Sequence, residues 1–353
     1  MSDQRASSRK EERHLVGSFS WVVGIPSSLG QDGQAAYIWL SMKILVTGGA
    51  GFIGSHLVDA YLAAGHEVFI VDNLWSEGGG NLANVPSQAR FFQADITDAE
   101  AMRDLFAQVR PEVVSHHAAQ HSVAVSARDP LLDARVNVLG LLTILQNCTQ
   151  VGVRKIIYAS SGATYGTPSH LPVTEETPQR PESPYGITKM MGEHYLRYWQ
   201  AAHGLTYTIL RYGNVYGPRQ DPGGEAGVIA IFARRFLDGE GVRIDWDGEQ
   251  AKDYVFVGDV ARANLLALER GDNDVFCIAT GRPTSVNEIY RQLVKMTGFE
   301  APIQRAPKRA GDIRLAYFDC SKAARLLGWQ PQVSLEEGIG QTIEFFRQRQ
   351  ARA

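Results

Sequence analysis

The sequence predicts an α/β protein, a doubly wound parallel sheet with a smaller, interleaved C-terminal domain. Two observations point there. From Met42 onward, short apolar runs alternate with stretches of helical period, the pattern of strands buried on both faces by crossover helices. The first of those runs, Lys43-Ile44-Leu45-Val46-Thr47, turns through glycines at 48, 51 and 54 directly into a helical stretch, a corner that opens folds of this class.

The elements follow in order. The first strand, 43–47, leads into a helix over 52–64 whose apolar stripe has helical spacing and whose C-cap is Gly65. A second strand, Val68-Phe69-Ile70-Val71, ends in Asp72. Further apolar runs predict strands over 89–93, 113–115, 155–159 and 207–211, separated by helices such as 99–109, 131–150 and 185–203. The Gly- and Pro-rich run 218–227 reads as a loop beside a ligand cleft. Beyond it the alternation is too irregular to extend the sheet simply, and a late return to the sheet is expected around 259–279. Residues 1–41 differ: a charged segment, Arg9-Lys10-Glu11-Glu12-Arg13, precedes a short apolar patch, Trp21-Val22-Val23-Gly24-Ile25, with no period and no turn chemistry. They are expected to be a disordered extension or an over-extended start ahead of Met42. Ser18, Ser20 and Gly24 interrupt the apolar stretch and no clear small-residue cleavage site follows, which argues against a signal peptide.

Composition sets limits. With 353 residues, 44% of them apolar, and a net charge of −3, the chain can bury a large core in one big or two smaller domains. It has no basic stripe for nucleic acid and no apolar run long enough to span a membrane. Cys148, Cys277 and Cys320 are widely spaced and match no zinc or disulfide framework, as expected for a reducing cytoplasm. His116 and His117 are adjacent at a strand end but lack carboxylates or cysteines in a ligand spacing, so no metal is expected.

The glycine run, G-x-x-G-x-x-G, suits a dinucleotide pyrophosphate. Its glycines let the backbone turn tightly and approach phosphates, and the helix that follows aims its N-terminal N–H groups and positive dipole end at them. Glycine turns also serve as plain strand-to-helix corners, and the second strand selects the cradle. Asp72 at its end is placed to accept hydrogen bonds from both hydroxyls of an adenosine ribose and to repel a 2′-phosphate. The next residues, Asn73 and Leu74, supply no Arg for such a phosphate, so NAD is favoured over NADP.

A second constellation carries chemistry. Tyr185 and Lys189, in Ser183-Pro184-Tyr185-Gly186-Ile187-Thr188-Lys189, are four apart on a helix and share a face. A lysine ammonium beside a phenol favours phenolate, so the tyrosine pKa is expected to fall from about 10 until it can act as a general base near neutrality. Ser161, in Ser160-Ser161-Gly162-Ala163-Thr164-Tyr165-Gly166 at a strand end, can donate or relay a hydrogen bond at a hydroxyl being oxidised.

On these motifs, the chain from Met42 to about Phe346 resembles the extended short-chain dehydrogenase/reductases, and most closely the UDP-glucose 4-epimerase group of nucleotide-sugar epimerases. The resemblance implies a Rossmann NAD-binding domain over 42–217 with a return at about 255–280, and a substrate domain over 218–254 and 281–353. It implies that Gly48, Gly51, Phe52, Ile53, Gly54, Asp72 and Asn73 hold NAD, with Asp95 and Ile96 at the adenine. Ala118 and Ala119 of the H-x-A-A strand end, Asn137, Tyr185, Lys189 and Tyr212 also resemble cofactor or relay positions. On the substrate side it implies Ser161, Asn214 near the diphosphate, Lys252, the nucleotide-gripping pair Arg309 and Asp312, and Ala316 over the sugar. Two positions depart from the family pattern: Lys252 stands where relatives carry a bidentate Arg, and Asp245 stands where an aromatic could stack on uracil, with Trp246 adjacent. UDP is the best match; TDP and other nucleotides stay open.

Reaction type follows from Gly162 and Ala163, which stand where dehydratases carry an Asp-Glu pair and decarboxylases a Glu. With no carboxylate there, a reaction that begins and ends with hydride transfer is favoured. The implied mechanism is NAD-dependent 4-epimerisation: Tyr185 takes the 4-hydroxyl proton as the C4 hydride passes to the nicotinamide, Lys189 holds the ribose and stabilises the phenolate, and Ser161 orients the hydroxyl. The 4-keto sugar swings about its diphosphate and receives the hydride on its other face. UDP-glucose and UDP-galactose are the expected substrates, and small Ala316 suggests that N-acetylated or uronic forms fit as well. A nucleotide-sugar oxidoreductase or reductase is the alternative enzyme, and a non-catalytic NAD sensor the alternative outside catalysis. A homodimer through the helices at 131–150 and 185–203 is a further implication.

Overall fold

The structure is a computed structural model that describes residues 41–75, 79–223, 227–308 and 313–351. The extension expected at 1–41, apart from its last residue, and the pair Arg309 and Asp312 lie outside the described residues. In chain order the strands are β1 Lys43–Thr47, β2 Glu67–Asp72, β3 Arg90–Gln93, β4 Val113–His116, β5 Lys155–Ser161, β6 Thr206–Tyr212, β7 Asn214–Tyr216, β8 Val242–Asp245, β9 Ala251–Phe256, β10 Asp274–Ile278, β11 Pro283–Ser285, β12 Ile303–Ala306 and β13 Leu315–Ala316. The α-helices are α1 Phe52–Ala63, α2 Ala99–Val109, α3 Val123–Arg128, α4 Pro130–Ala134, α5 Gly140–Val151, α6 Pro184–His203, α7 Val228–Leu237, α8 Val257–Ala267, α9 Val286–Thr297 and α10 Leu335–Gln350.

Seven strands form one parallel sheet in the order β10-β6-β5-β4-β1-β2-β3, a doubly wound sheet whose order reverses between β1 and β4. Ligands of such sheets bind at that reversal, outside the carboxyl ends of the strands. The strands are continuous in Val, Ile, Leu and Phe because both faces are covered: β1, β2 and β10 are buried from their second residue to their last. Leu45, Phe69, Val114, Ile156 and Tyr158 pack with Leu105, Phe106, Leu141, Ile144 and Leu196 in one continuous core. The expected late return is β10, which pairs with β6 from Asp274 opposite Thr208 to Ile278 opposite Tyr212.

Local chemistry starts the helices where the sequence says it should. Asp98 caps α2 by accepting from the N–H groups of Glu100 and Ala101, each at 3.0 Å. Ser183 caps α6 by accepting from Gly186 N at 3.1 Å, with Pro184 pre-set at the first helical position. The stretch expected as one helix over 131–150 is helical but not uniformly so. Between α4 and α5 it widens into a π turn, Arg135–Leu139, that contains Asn137.

A smaller layer faces the carboxyl ends. In it β9 pairs antiparallel with β11 and parallel with β13 and β7, which puts Lys252 opposite Ala316 and Tyr254 opposite Asn214. Strands β8 and β12 form a parallel pair beside it. A second core of Phe232, Phe236, Val242, Ile244, Phe256, Ile289, Leu293, Ile343 and Phe346 holds α7, α9 and α10 against these strands. No helix among the described residues is long and apolar enough to cross a membrane.

Candidate active site

Glycine is required by close approach at the end of β1. Gly48 has φ +69°, and a β-carbon there would come within 2.7 Å of Ala118 N. At Gly54 a β-carbon would collide with the Gly48 carbonyl oxygen, so the first turn of α1 lies directly on the loop. Thr47 Oγ1 accepts from the N–H groups of His117 and Ala118, each at 3.1 Å. The ends of β1 and β4 are thereby locked together, with Ala118 and Ala119 beside the glycine loop. Phe52 and Ile53 begin α1.

Asp72 ends β2 as a buried carboxylate that accepts from Ala50 N at 3.1 Å and Leu74 N at 2.9 Å. Burial raises its pKa above the usual carboxylate value, and those two N–H groups oppose the rise. Asp95 differs: burial pushes it up, but bonds from Thr97 N, Thr97 Oγ1 and Asn73 Nδ2, at 2.7–2.9 Å, hold it below the ordinary value. Ile96, also buried, packs where a side chain at position 140 would otherwise sit, which Gly140 permits.

Ser161, Tyr185 and Lys189 come together at the carboxyl end of β5. Ser161 accepts from Ala163 N at 3.1 Å and its side chain is hydrogen-bonded to the Tyr185 phenol. Lys189 Nζ donates to the Ala159 carbonyl at 2.9 Å and lies 5.9 Å from the centre of the Tyr185 ring. Burial draws the ammonium down to about 8, and the negative charge of Asp133 opposes this. One expectation is corrected here. The lysine was expected to pull the phenol toward neutrality, whereas Tyr185 is pushed up to about 12: loss of hydration raises it, the Ser161 bond draws it back, and Asp133 adds to the rise. The ammonium is committed to a carbonyl, and desolvation of the phenol outweighs it.

Asn137 and Tyr212, expected from the sequence, support this group together with residues that the sequence did not single out, among them Gln120, Asp133 and Glu193. Asn137 Nδ2 donates to Gln120 O at 2.9 Å, and Gln120 N donates back to Asn137 Oδ1 at 2.9 Å. Buried Asp133 accepts from Asn137, Gln120 and Thr188. The faint signal in the sequence is the spacing of Asp133 and Asn137, one helical turn apart. Glu193 of α6 is clamped by Arg211 of β6, which donates through Nε at 2.8 Å and Nη2 at 2.6 Å. That pair ties the helix bearing Tyr185 and Lys189 to the sheet. Tyr212 accepts from Asn264 Nδ2 at 2.8 Å and bonds to His117 Nε2 at 2.9 Å, so its hydroxyl is committed below the strand end.

At Gly162 a β-carbon would stand 2.6 Å from Phe318 Cζ. The phenyl ring fills the place that a carboxylate at 162 would need. On the far side of the cleft, Asn214, Lys252 and Ala316 share the small sheet, with Asn214 exposed. Asp245 is turned inward, its side chain 11% exposed and bonded to Arg243 Nε at 2.6 Å. Trp246 follows with φ +57° and has Lys308 Nζ 4.5 Å and the Arg314 guanidinium 4.8 Å from its ring centre. The aromatic surface of this turn is therefore the indole at 246.

Residues 44–279 match the sequence pattern of the NAD dependent epimerase/dehydratase family. The chain belongs to that family. Its resemblance extends over nearly the whole length of individual members. It is 44% identical over 312 residues to the UDP-glucose 4-epimerase of Mycolicibacterium smegmatis, covering 87% of this chain and 99% of that one. The crystal structure of the Thermotoga maritima UDP-glucose 4-epimerase with UDP-glucose superposes with a TM-score of 0.85 at 50% identity, covering 88% of this chain and all of that one. The Thermus thermophilus UDP-glucose 4-epimerase in complex with NAD gives 0.83 at 45% identity, covering 87% and 99%. NAD is thus the cofactor of this epimerase/dehydratase family member, and the glycine cradle fits it: backbone without β-carbons beside α1, and a buried carboxylate at Asp72.

Proposed function

We propose that the protein interconverts the 4-epimers of a UDP-hexose, UDP-glucose and UDP-galactose, through a 4-keto intermediate. The observation that carries the reading is the pairing of the Ser161, Tyr185 and Lys189 group with Gly162, where Phe318 leaves no room for an acid. Elimination of water requires such an acid or base next to the sugar; oxidation and reduction at one carbon do not. When bound, NAD would supply the hydride acceptor and donor and, in its oxidised form, positive charge. The chain's own groups do the rest. Gly48, Gly51, Phe52, Ile53 and Gly54 receive the pyrophosphate, Asp72 and Asn73 the adenosine ribose, and Asp95 and Ile96 the adenine. Ala118, Ala119, Asn137, Lys189 and Tyr212 border the nicotinamide half. Tyr185 accepts the 4-hydroxyl proton and later returns it, Ser161 holds that oxygen, and the Lys189 ammonium lowers the cost of the phenolate.

On the substrate side, Asn214, Lys252, Arg309 and Asp312 hold the nucleotide, and Trp246 offers the base a flat face. Ala316, opposite Lys252 in the small sheet, leaves space for a 2-N-acetyl group. A second copy of the chain covers the exposed apolar side chains Leu131, Leu139, Ile187, Met191 and Tyr198 between α4 and α6.

Purified protein incubated with UDP-galactose, and separately with UDP-N-acetylgalactosamine, tests the reading by sugar analysis of the products. Both are expected to epimerise. Ala316→Tyr is expected to lose the N-acetylated substrate and keep the plain one, since exclusion acts on the larger ligand. Equal loss of both would overturn the place given to Ala316, and absence of UDP-glucose from the first incubation would overturn the function.

A further inference from the structure

We propose that Asp133 is a positioning residue of this site: its carboxylate ties the helix bearing Tyr185 and Lys189 to the cofactor-side loop, and its charge bears on Lys189. The inference rests on the epimerase reading of the site and adds a residue to it.

Asp133 is completely buried on α4. It collects donors from three segments: Gln120 Nε2 at 2.8 Å, Asn137 Nδ2 at 3.0 Å and Thr188 Oγ1 at 2.7 Å. Gln120 follows Ala118 and Ala119 on the loop after β4, Asn137 lies in the π turn, and Thr188 precedes Lys189 on α6. A shift of α6 against the loop would break at least one of these bonds. Among the described residues no basic side chain forms an ion pair with Asp133. A buried carboxylate without a cation is costly, and three donors offset that cost. Its field acts through a poorly screened interior.

The cation that feels it is Lys189. Around that ammonium stand Asp133 from α4, Tyr158 of β5 with its ring centre at 5.1 Å, and Tyr185 of its own helix at 5.9 Å. From β4 and the residue after it come His116 and His117, both held neutral by burial with the lysine's own charge adding to the effect. Of these groups only Asp133 is a carboxylate, and its charge favours the protonated lysine. Loss of its charge therefore moves the lysine's proton loss to lower pH, and an activity that needs the ammonium fails earlier on the alkaline side.

The test is Asp133→Asn, read by ¹³C NMR of Cε-labelled lysines in the intact protein. There are eight lysines, and Lys189→Met assigns the resonance. The Lys189 titration is expected to fall by roughly one pH unit in Asp133→Asn, with the alkaline limb of kcat/KM moving by the same amount. At pH 8, kcat should drop about fivefold while KM for UDP-galactose stays within about twofold. An unmoved lysine titration would overturn the proposal. If Asp133→Asn does not fold, Thr188→Val cuts the bond to α6 and leaves the charge: kcat is expected to fall with the lysine titration in place, and an unchanged kcat would overturn the tie. The titration needs no substrate, so a protein inactive on UDP-galactose would sink the functional reading while Asp133's effect on Lys189 is still measured.

Discussion

Tyr185 shows how far a residue's neighbourhood can move it from its sequence. Spacing alone pairs it with Lys189, and the two do share a face of α6, yet the phenol sits at about 12 because its hydroxyl has lost water. Burial thus opposes the phenolate at neutral pH. Tyr185→Phe keeps the ring and removes the acceptor. It should fold, retain NAD and lose about 10² to 10⁴ in turnover, the usual worth of a positioned base. Near-normal turnover would remove Tyr185 from the mechanism. The proposed trio of Ser161, Tyr185 and Lys189 was legible because its members lie on recognisable local elements. Asp133, Gln120 and Thr188 were not, because three distant segments meet at one carboxylate and no local pattern announces it.

At the scale of elements, strands buried on both faces were readable as uninterrupted apolar runs, and caps such as Ser183 and Asp98 fixed where helices start. The π turn was hidden, since Arg135-Val136-Asn137-Val138-Leu139 has the same apolar spacing as an ordinary helix and only tertiary bonds to Asn137 distinguish it. Strands β7, β11 and β13, two or three residues each, are too short to show a period. The α1 cradle makes a sharp prediction. Gly54→Ala drives a methyl group into the Gly48 carbonyl oxygen, so the loop must open and the N-terminal amides of α1 lose their aim. The variant should stay folded by circular dichroism yet purify without NAD and bind added NAD at least tenfold more weakly by calorimetry, about 1.4 kcal/mol. Wild-type affinity would show that α1 does not carry the pyrophosphate.

For the whole molecule, the order β10-β6-β5-β4-β1-β2-β3 brings the glycine loop, the β4 end and the β5 end to one edge, which explains why motifs more than a hundred residues apart serve one site. Burial on that edge has a cost in acid. His117 is held at about 3 and His116 well below its usual value, each by burial and then by the charge of Lys189. His56 is held at about 4 by burial and then by Arg219. The unfolded chain takes up these protons below about pH 6.5 and the folded one does not, so stability is present above pH 6.5 and declines as pH falls toward 4. The urea midpoint should be lower at pH 5 than at pH 7; equal midpoints would mean that these rings reach water.

The central claim is that one carbon of the sugar gives up a hydride and receives it back without leaving the site. UDP-galactose carrying deuterium at C4, turned over in ordinary water with free NADH present, tests this most directly. The account predicts UDP-glucose with its deuterium still at C4. Loss of the label to water or to the NADH pool, or a product altered at another carbon, would contradict it.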